Sequence, residues 1–289
     1  MNLSDIYHPI TATPFNTENY MEYEPCEELK PYIRCFWGTK TPHIQSETNI
    51  NQRSIVIPDT CMDIMFEVDF TQNTIGNGFA GINDSYFETE QTNKNKTLKT
   101  TFAIRFYAWS VTLFAEDSMS DVKNRFSDVD CYFPKLKREI EPLLFDITDI
   151  KKLILIAEKH LLSHLHIERE NHILNDAVRN IILSQGNIRM SQLGKSICIS
   201  NRQLERVFKE NMGISPKQFS ILVRYQFLWN HVLFKKDFNI LDEVYKLGYT
   251  DQAHLLKDFK NYHSMAPLQA REFAFHDVAF LQDECTKTI

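Results

Sequence analysis

The C-terminal third of the chain repeats itself at a fixed offset of 51 residues, and this limits the available folds more than any other feature. Leu204 is matched by Leu255, Arg206 by Lys257, Phe208 by Phe259, Lys209 by Lys260, Ile214 by Met265 and Pro216 by Pro267. Each copy reads as a short helix, a turn, and a second helix carrying Leu-x-(Arg/Lys)-x-Phe-Lys, closed by proline. Leu and Phe four residues apart share one helix face, so each second helix buries a stripe and turns its basic residue outward.

The segment between the copies sets their geometry. Ser215-Pro216 starts a helix as an N-cap followed by proline in the first turn, and the pattern runs to about Phe234. At 1.5 Å per residue that helix is about 28 Å long. Its apolar residues include Phe219, Leu222, Tyr225, Leu228, Trp229 and Val232, with Ile221, Val223, Phe227 and Leu233 filling the remaining sides. A helix apolar on almost every side is buried on several sides, which predicts a spine sandwiched between two small helical subdomains. Successive major-groove faces of B-DNA lie about 34 Å apart, so the spine has the length to place two recognition helices in adjacent grooves.

Charge supports a nucleic-acid partner only when divided along the chain. The whole chain carries a net charge of −6. Residues 1–170 hold 17 Lys and Arg against 26 Asp and Glu, whereas residues 171–274 hold 14 against 9. An acidic front with a basic back is expected where only one part must approach phosphates. Six scattered cysteines (Cys26, Cys35, Cys61, Cys131, Cys198, Cys285) without a Cys-x-x-Cys pair read as reduced thiols of a cytoplasmic protein. No apolar run long enough to span a membrane is present, and Met1 to Ile10 lacks the pattern of an export signal.

The segments Ser200-Asn201-Arg202-Gln203-Leu204-Glu205-Arg206-Val207-Phe208-Lys209 and Gly248-Tyr249-Thr250-Asp251-Gln252-Ala253-His254 resemble the DNA-binding motif of the AraC/XylS family of bacterial transcription regulators. That resemblance implies a tandem helix-turn-helix reader for double-stranded promoter DNA, with RNA polymerase as a further candidate partner and activation as the commoner outcome. The sequence departs from the family pattern at four places. Cys198 and Ser264 stand where glycine is usual, Gly194 where alanine is usual, and Glu243 at a usually apolar position. Leu29 to Gly38, Ile57 to Asp63 and Phe102 to Phe106 resemble a β-rich sensor-like domain of one subgroup of the same family, with Thr60 in place of a common glycine.

In the first unit Leu193 and Ile197 are expected to face inward, Cys198-Ile199 to form the turn, and Ser200 to cap the recognition helix. Asn201, Arg202, Glu205, Arg206 and Lys209 then lie on its outer side. Arg202 and Arg206 are the candidate base readers, since arginine makes bidentate contacts to guanine, and Glu205 can accept from cytosine. Each is alternatively a solvated or phosphate-contacting residue. In the second unit Leu241, Val244 and Leu247 are expected to face inward and Thr250 or Asp251 to cap. Gln252, Ala253, His254 and Lys257 are expected to project outward, with Lys260 as a phosphate contact or solubilising charge.

The front of the chain reads as an antiparallel sheet. Asp63 to Val68 alternates with Ile64, Phe66 and Val68 on one face, and Thr101 to Tyr107 with Phe102, Ile104 and Phe106. Ser54 to Ile57 is a further short strand, and Thr89 to Lys99 reads as an exposed hairpin loop. Helices are expected from Ser118 through Phe126, from Pro134 towards Phe145, from an Asp149 cap through the Leu153, Ala157, Leu161 and Leu165 stripe, and from His172 to Ser184. The predicted class is α+β: an N-terminal antiparallel β-rich, barrel-like domain with trailing helices, and a C-terminal all-α domain of two helix-turn-helix units joined by a central helix. The expected divisions are 1–148, a linker helix over 149–170, a reader over 171–275 and a tail over 276–289.

Trp37, Asp59, Asp63, Arg105, Tyr107 and Trp109 are candidates to line an effector pocket, and each is equally a core or loop residue. His160 and His164 are one turn apart and near His166. No further ligand completes a metal set, so they read as exposed helix histidines, with no metal or cofactor expected. The Leu153 stripe serves either packing within its own domain or a homodimer. An enzyme is the competing class. The chain has no Gly-x-Ser-x-Gly, phosphate loop, His-Glu-x-x-His or Gly-x-Gly-x-x-Gly, so no catalytic residues are assigned. A first domain that binds a partner protein, or only oligomerises, and repression in place of activation remain as alternatives.

Overall fold

The computed structural model describes residues 2–15, 20–39, 42–45, 53–90 and 97–275. Alternation of side chains along two long strands organises the first half. Strands β5 (Cys61–Asp69) and β8 (Thr97–Tyr107) pair antiparallel at the centre of a seven-stranded sheet. On one flank β2 (Ile33–Gly38) pairs with β8, and β1 (Met21–Tyr23) with β2. On the other flank β6 (Thr74–Ala80) pairs with β5, and the short β9 (Phe126–Ser127) with β6. Strand β3 (His43–Gln45) also pairs with β8, while β4 (Arg53–Val56) and β7 (Phe87–Glu90) form a separate two-stranded sheet.

The two faces of the large sheet have different chemistry. Phe36, Ile64, Phe66, Phe102, Ile104 and Phe106 are buried on one, packed with Phe133 at the entry to α1 (Pro134–Ile140) and with α2 (Ile150–Ser163). Phe106 and Phe133 stack at 5.7 Å. The α2 stripe of Leu153, Ala157 and Leu161 is consumed by this core, so a homodimer through it would require opening the protein's own interior.

On the opposite face the register sets Asp63 directly across from Arg105. Arg105 Nε donates to Asp63 Oδ1 at 2.9 Å and Nη2 to Oδ2 at 3.2 Å, while Trp37 Nε1 also donates to Asp63 Oδ1 at 2.7 Å. Arg105 Nη1 lies 3.9 Å from Asp59, whose carboxyl is pushed up by burial against the pull of Arg105.

Five expectations change. Residues 118–125 form turns in place of a helix, because their backbone bonds elsewhere: Asn124 N donates to Ile82 O, and Gly81 N to Arg125 O. The helix opened by Pro134 ends at Ile140, with a 3-10 turn over Glu141–Leu143 around Pro142. The α2 helix stops at Ser163, leaving Leu165 beyond it. Thr89 to Lys99 is no hairpin loop, since β7 and β8 belong to different sheets; residues 91–96 lie outside the described residues, as does the 276–289 tail with Cys285. His160 is buried, with Nδ1 against Glu139, and is not an exposed helix histidine.

The second half is helical: α3 (His172–Leu183), α4 (Met190–Ser196), α5 (Asn201–Met212), α6 (Pro216–Phe234), α7 (Ile240–Lys246) and α8 (Gln252–His263). Helix α6 is the expected spine, opened by a Ser215–Gln218 capping box. Its burial has three partners where two were expected, because the N-terminal arm joins the two helical units. Ile10 and Ala12 pack in the core of the second unit, Trp229 Nε1 donates to Thr11 O at 2.9 Å, and Tyr7 meets Phe227 at 5.5 Å. Among the described residues no helix is long and apolar enough to cross a membrane.

Val244 of α7 and Leu247 just after it are buried as expected, but Leu241 is 53% exposed and Glu243 takes an inward place, fully buried. Its carboxylate accepts from Lys235 Nζ at 2.8 Å and lies 2.7 Å from His231 Nδ1, both at the end of α6. Burial alone would raise the Glu243 pKa, but the hydrogen bonds from Lys235 and His231 hold it below the ordinary value of 4.5. A folded-state pKa below the unfolded one contributes stability that is present above the unfolded value and is lost as pH falls through the folded one. The unfolding free energy of the wild type should therefore exceed that of Glu243→Gln at pH 7, and urea titrations should show the gap closing as pH falls below the ordinary carboxylate range. A gap that is constant with pH would refute this.

Candidate nucleic-acid interface

Each second helix of the repeat is fixed by a side-chain cap at its start and a left-handed residue at its end. Ser200 Oγ accepts from Gln203 N at 3.2 Å and opens α5; Asp251 Oδ1, not Thr250, accepts from His254 N at 2.8 Å and opens α8. Helix α5 ends at Gly213, with φ +73°, and α8 at Ser264, with φ +61°. Leu204, Val207 and Phe208 point inward from α5, as do Leu255 and Phe259 from α8. The rotation that buries these residues exposes Asn201, Arg202, Glu205, Arg206 and Lys209 on α5, and Gln252, Ala253, Lys257 and Lys260 on α8.

Three expected contact residues already have intramolecular partners. Lys209 Nζ donates to Gly213 O at 3.2 Å, closing its own helix at the C-terminal, partially negative end. Arg206 lies 3.7 Å from Glu210, but its side chain is 66% exposed, so the pair leaves it free to turn outward. His254 is turned back along α8. Its Nε2 lies 3.6 Å from Asp258, its Nδ1 is 3.4 Å from Thr250 N, and its ring meets Tyr249 edge-on at 5.2 Å. The His254 side chain remains 39% exposed beside these partners, next to the outward Gln252 and Ala253.

Asp258 belongs to a clamp that the sequence reading missed. Buried Arg224 of the spine donates to Asp258 at 2.9 Å and lies over the Tyr249 ring at 4.2 Å. The available signal was one arginine within an otherwise apolar helix. Cation–π and ion-pair contacts on one guanidinium lock the angle between spine and second reader.

The first unit is docked on the sheet body through the C-terminal end of α5. Met119 N donates to Glu210 O at 3.0 Å, Ser118 Oγ to the same oxygen at 3.2 Å, and Thr112 Oγ1 to Asn211 Oδ1 at 3.1 Å. A Cβ on Gly213 would lie 2.6 Å from Met119 O, so this close approach and the positive φ both require glycine. The docking leaves the start of α5, from Ser200 to Arg206, uncovered.

The six effector-pocket candidates divide into two groups. Trp37, Asp59, Asp63 and Arg105 form the closed network described above. Tyr107 stacks on Trp109 at 4.6 Å, and Trp109 meets Phe219 of the spine edge-on at 6.3 Å, at the seam between the halves. Among the described residues no group of three or more His, Cys, Asp or Glu could hold a metal ion.

Residues 193–272 match the family described as a helix-turn-helix domain, and residues 21–128 match a domain of unknown function, DUF6597. An HTH-type transcriptional regulator from Haemophilus influenzae is 31% identical over 100 residues, 34% of this chain and 33% of the relative. The Msm operon regulatory protein of Streptococcus mutans is 24% identical over 139 residues, 44% of this chain and 50% of the relative. The chain thus spans half or less of the length of these curated relatives. Among solved structures, ToxT from Vibrio cholerae is similar over 81% of this chain and 96% of its own, with 10% identity and a TM-score of 0.41.

The turn of the first unit explains one departure from the family pattern. Cys198 has φ +57°, in the region that penalises a Cβ, and Ser264 repeats this at the end of α8. Gly194 is the converse, since a Cβ there would lie 2.9 Å from Asn201 Oδ1 and 3.1 Å from Ile199 O. Cys198→Gly and Ser264→Gly should each stabilise the fold by about 1 kcal/mol, read as a higher urea midpoint at unchanged slope. A lower midpoint for either variant would show that its side chain contributes more than the left-handed backbone costs.

Proposed function

We propose that this chain, which carries an AraC-type helix-turn-helix domain behind a DUF6597 sheet domain, is a sequence-specific DNA-binding transcription regulator of the bacterial cytoplasm. Helices α5 and α8 enter adjacent major grooves on one face of the duplex. Arg202, Glu205 and Arg206 read bases from the first, and Gln252, Ala253 and Lys257 from the second; Asn201 and Lys260 contact the backbone. Ser200, Thr250 and Asp251 serve at the helix starts, where capped backbone meets phosphate. The observation that carries this reading is the placement of the docking contacts at the far end of α5, with both reader starts exposed. The protein is read as non-catalytic, and as activating transcription beside RNA polymerase; repression from the same site is the alternative.

The linker helix over 149–170 offers one route by which the sheet could couple to the readers. Contacts favour another route. The α2 face is spent on the sheet core, whereas residues 7–12 and 112–119 touch α6 and α5 directly. An effector held by the sheet body, whether a small molecule or a partner protein, would act through those two segments.

Arg206→Ala tests the reading. Binding to a cognate site, found by genome-wide mapping of bound DNA, should weaken by about 1–3 kcal/mol in fluorescence anisotropy, with little change on random duplex. Equal losses on both would make Arg206 a phosphate contact, and no loss on either would remove α5 as a reader.

A further inference from the structure

The reading faces of α5 and α8 differ most in their carboxylates. The two helices and their caps carry Glu205, Glu210, Asp251 and Asp258. Asp251 Oδ1 accepts from His254 N at 2.8 Å to close its cap, and Asp258 is held by Arg224 at 2.9 Å. Glu210, towards the docked end of α5, lies 3.7 Å from Arg206. The Glu205 side chain has no hydrogen-bond or ion-pair partner among the described residues, although basic residues flank it closely. Arg202 is three residues before it, Arg206 follows it and Lys209 is four residues after it. Glu four residues ahead of Lys is the favoured order for an ion pair on a helix surface. That pair is not made, because Lys209 Nζ donates to Gly213 O at 3.2 Å.

Glu205 is therefore an exposed, unneutralised carboxylate in the middle of the outward stripe of α5. It stands about 7.5 Å along the axis from the Ser200 cap, in the part of a recognition helix that meets base edges. At the offset of 51 that pairs Arg206 with Lys257, its counterpart is Leu256, so the second reader has no such group. A free carboxylate between two rows of phosphates is unfavourable on most DNA. The phosphates repel it, and losing its water without gaining a donor costs more. In the major groove guanine and thymine offer it only acceptors. Adenine has an amino group, but N7 beside it repels the second carboxylate oxygen. Cytosine offers its N4 amino group with no acceptor of its own alongside, and the paired guanine presents O6 and N7 to a neighbouring arginine.

Resting on the DNA-binding reading above, we propose that Glu205 is a specificity-determining residue that acts by exclusion. It admits a cytosine in the groove read by α5 and penalises other bases and random duplex. Arg206 and Glu205 then act with opposite signs. The arginine adds affinity at the cognate site, whereas the carboxylate subtracts affinity wherever its cytosine is missing.

The test is in vitro selection from a library of randomised duplexes, run in parallel with the full parent chain, Glu205→Gln and Glu205→Ala, both substitutions being at an exposed position. The parent should enrich cytosine at one base pair in the half read by α5. Glu205→Gln should enrich adenine there, since glutamine makes a bidentate contact to adenine, and Glu205→Ala should show no preference. In fluorescence anisotropy, replacing that cytosine should weaken the parent about tenfold. Both variants should bind random duplex about two- to fivefold more tightly than the parent, the scale of one exposed charge. A library from which the parent enriches no sequence overturns the DNA-binding reading and this inference with it. A parent motif that both variants reproduce at every base pair, or variants that bind random duplex no more tightly than the parent, overturns the role of Glu205 alone.

Discussion

Burial of the spine is the constraint on which the rest of the structure depends. A helix apolar around its circumference has no stable surface of its own, so α6 must be covered on every side. Apolar contact alone would not say by what. Three polar side chains buried on α6 do, because each would cost about 1–3 kcal/mol if left without a partner. Ser220 Oγ donates to Gly186 O at the turn after α3. Arg224 reaches Asp258 on the second reader. Gln226 accepts from Ile10 N at 2.8 Å and donates to Pro58 O at 3.1 Å, both in the front of the chain. Within two helical turns the spine therefore names three partners: first unit, second unit and sheet body.

This explains which parts were legible in the sequence. Strand alternation, the Asp149, Ser200 and Ser215 caps, the spine and the outward stripe of α5 all follow from local periodicity and local hydrogen bonding, and all are read from residues within a few positions of one another. The misreadings share a cause: their partners are distant in sequence. Residues 118–125 look like a capped helix until Gly81, Ile82 and Glu210 claim their backbone groups. The Arg224–Asp258 clamp is hidden for the same reason, since its two members lie 34 residues apart. Nothing near Tyr107 and Trp109 in the chain indicates that they stack at a seam with Phe219, more than a hundred residues away.

The departures from the family pattern divide along the same line. Cys198 and Ser264 are local costs, since a side chain occupies a left-handed position at each; the Cys198 thiol meets Lys195 O of its own turn, at 3.8 Å. Glu243 is different. It exchanges an apolar contact for a buried carboxylate satisfied by two groups at the end of α6. Replacing an apolar residue by a buried ion pair is often neutral or unfavourable in stability, but it demands one geometry, because an unpaired carboxylate in that place would be severely penalised. Glu243 and Arg224 thus hold the second unit from opposite sides, one through α7 and the other through α8.

The two readers are consequently attached by different physics. The first is held at its C-terminal end by a backbone hydrogen bond from Met119, by side-chain bonds from Ser118 and Thr112, and by a glycine that admits no side chain, so it is tied to the 112–119 segment. The second unit shares its core with Ile10 and Ala12 of the arm and with Ile57 of the sheet body, and buried charges fix it to α6 as one piece. A displacement of the 112–119 segment against the spine would act first on α5, since that segment bonds to the end of that helix. The register between two adjacent grooves is sensitive to the separation of α5 and α8, since the DNA repeat is fixed at about 34 Å. On the proposed reading, a change in the distance between the two readers would alter DNA binding without a change within either.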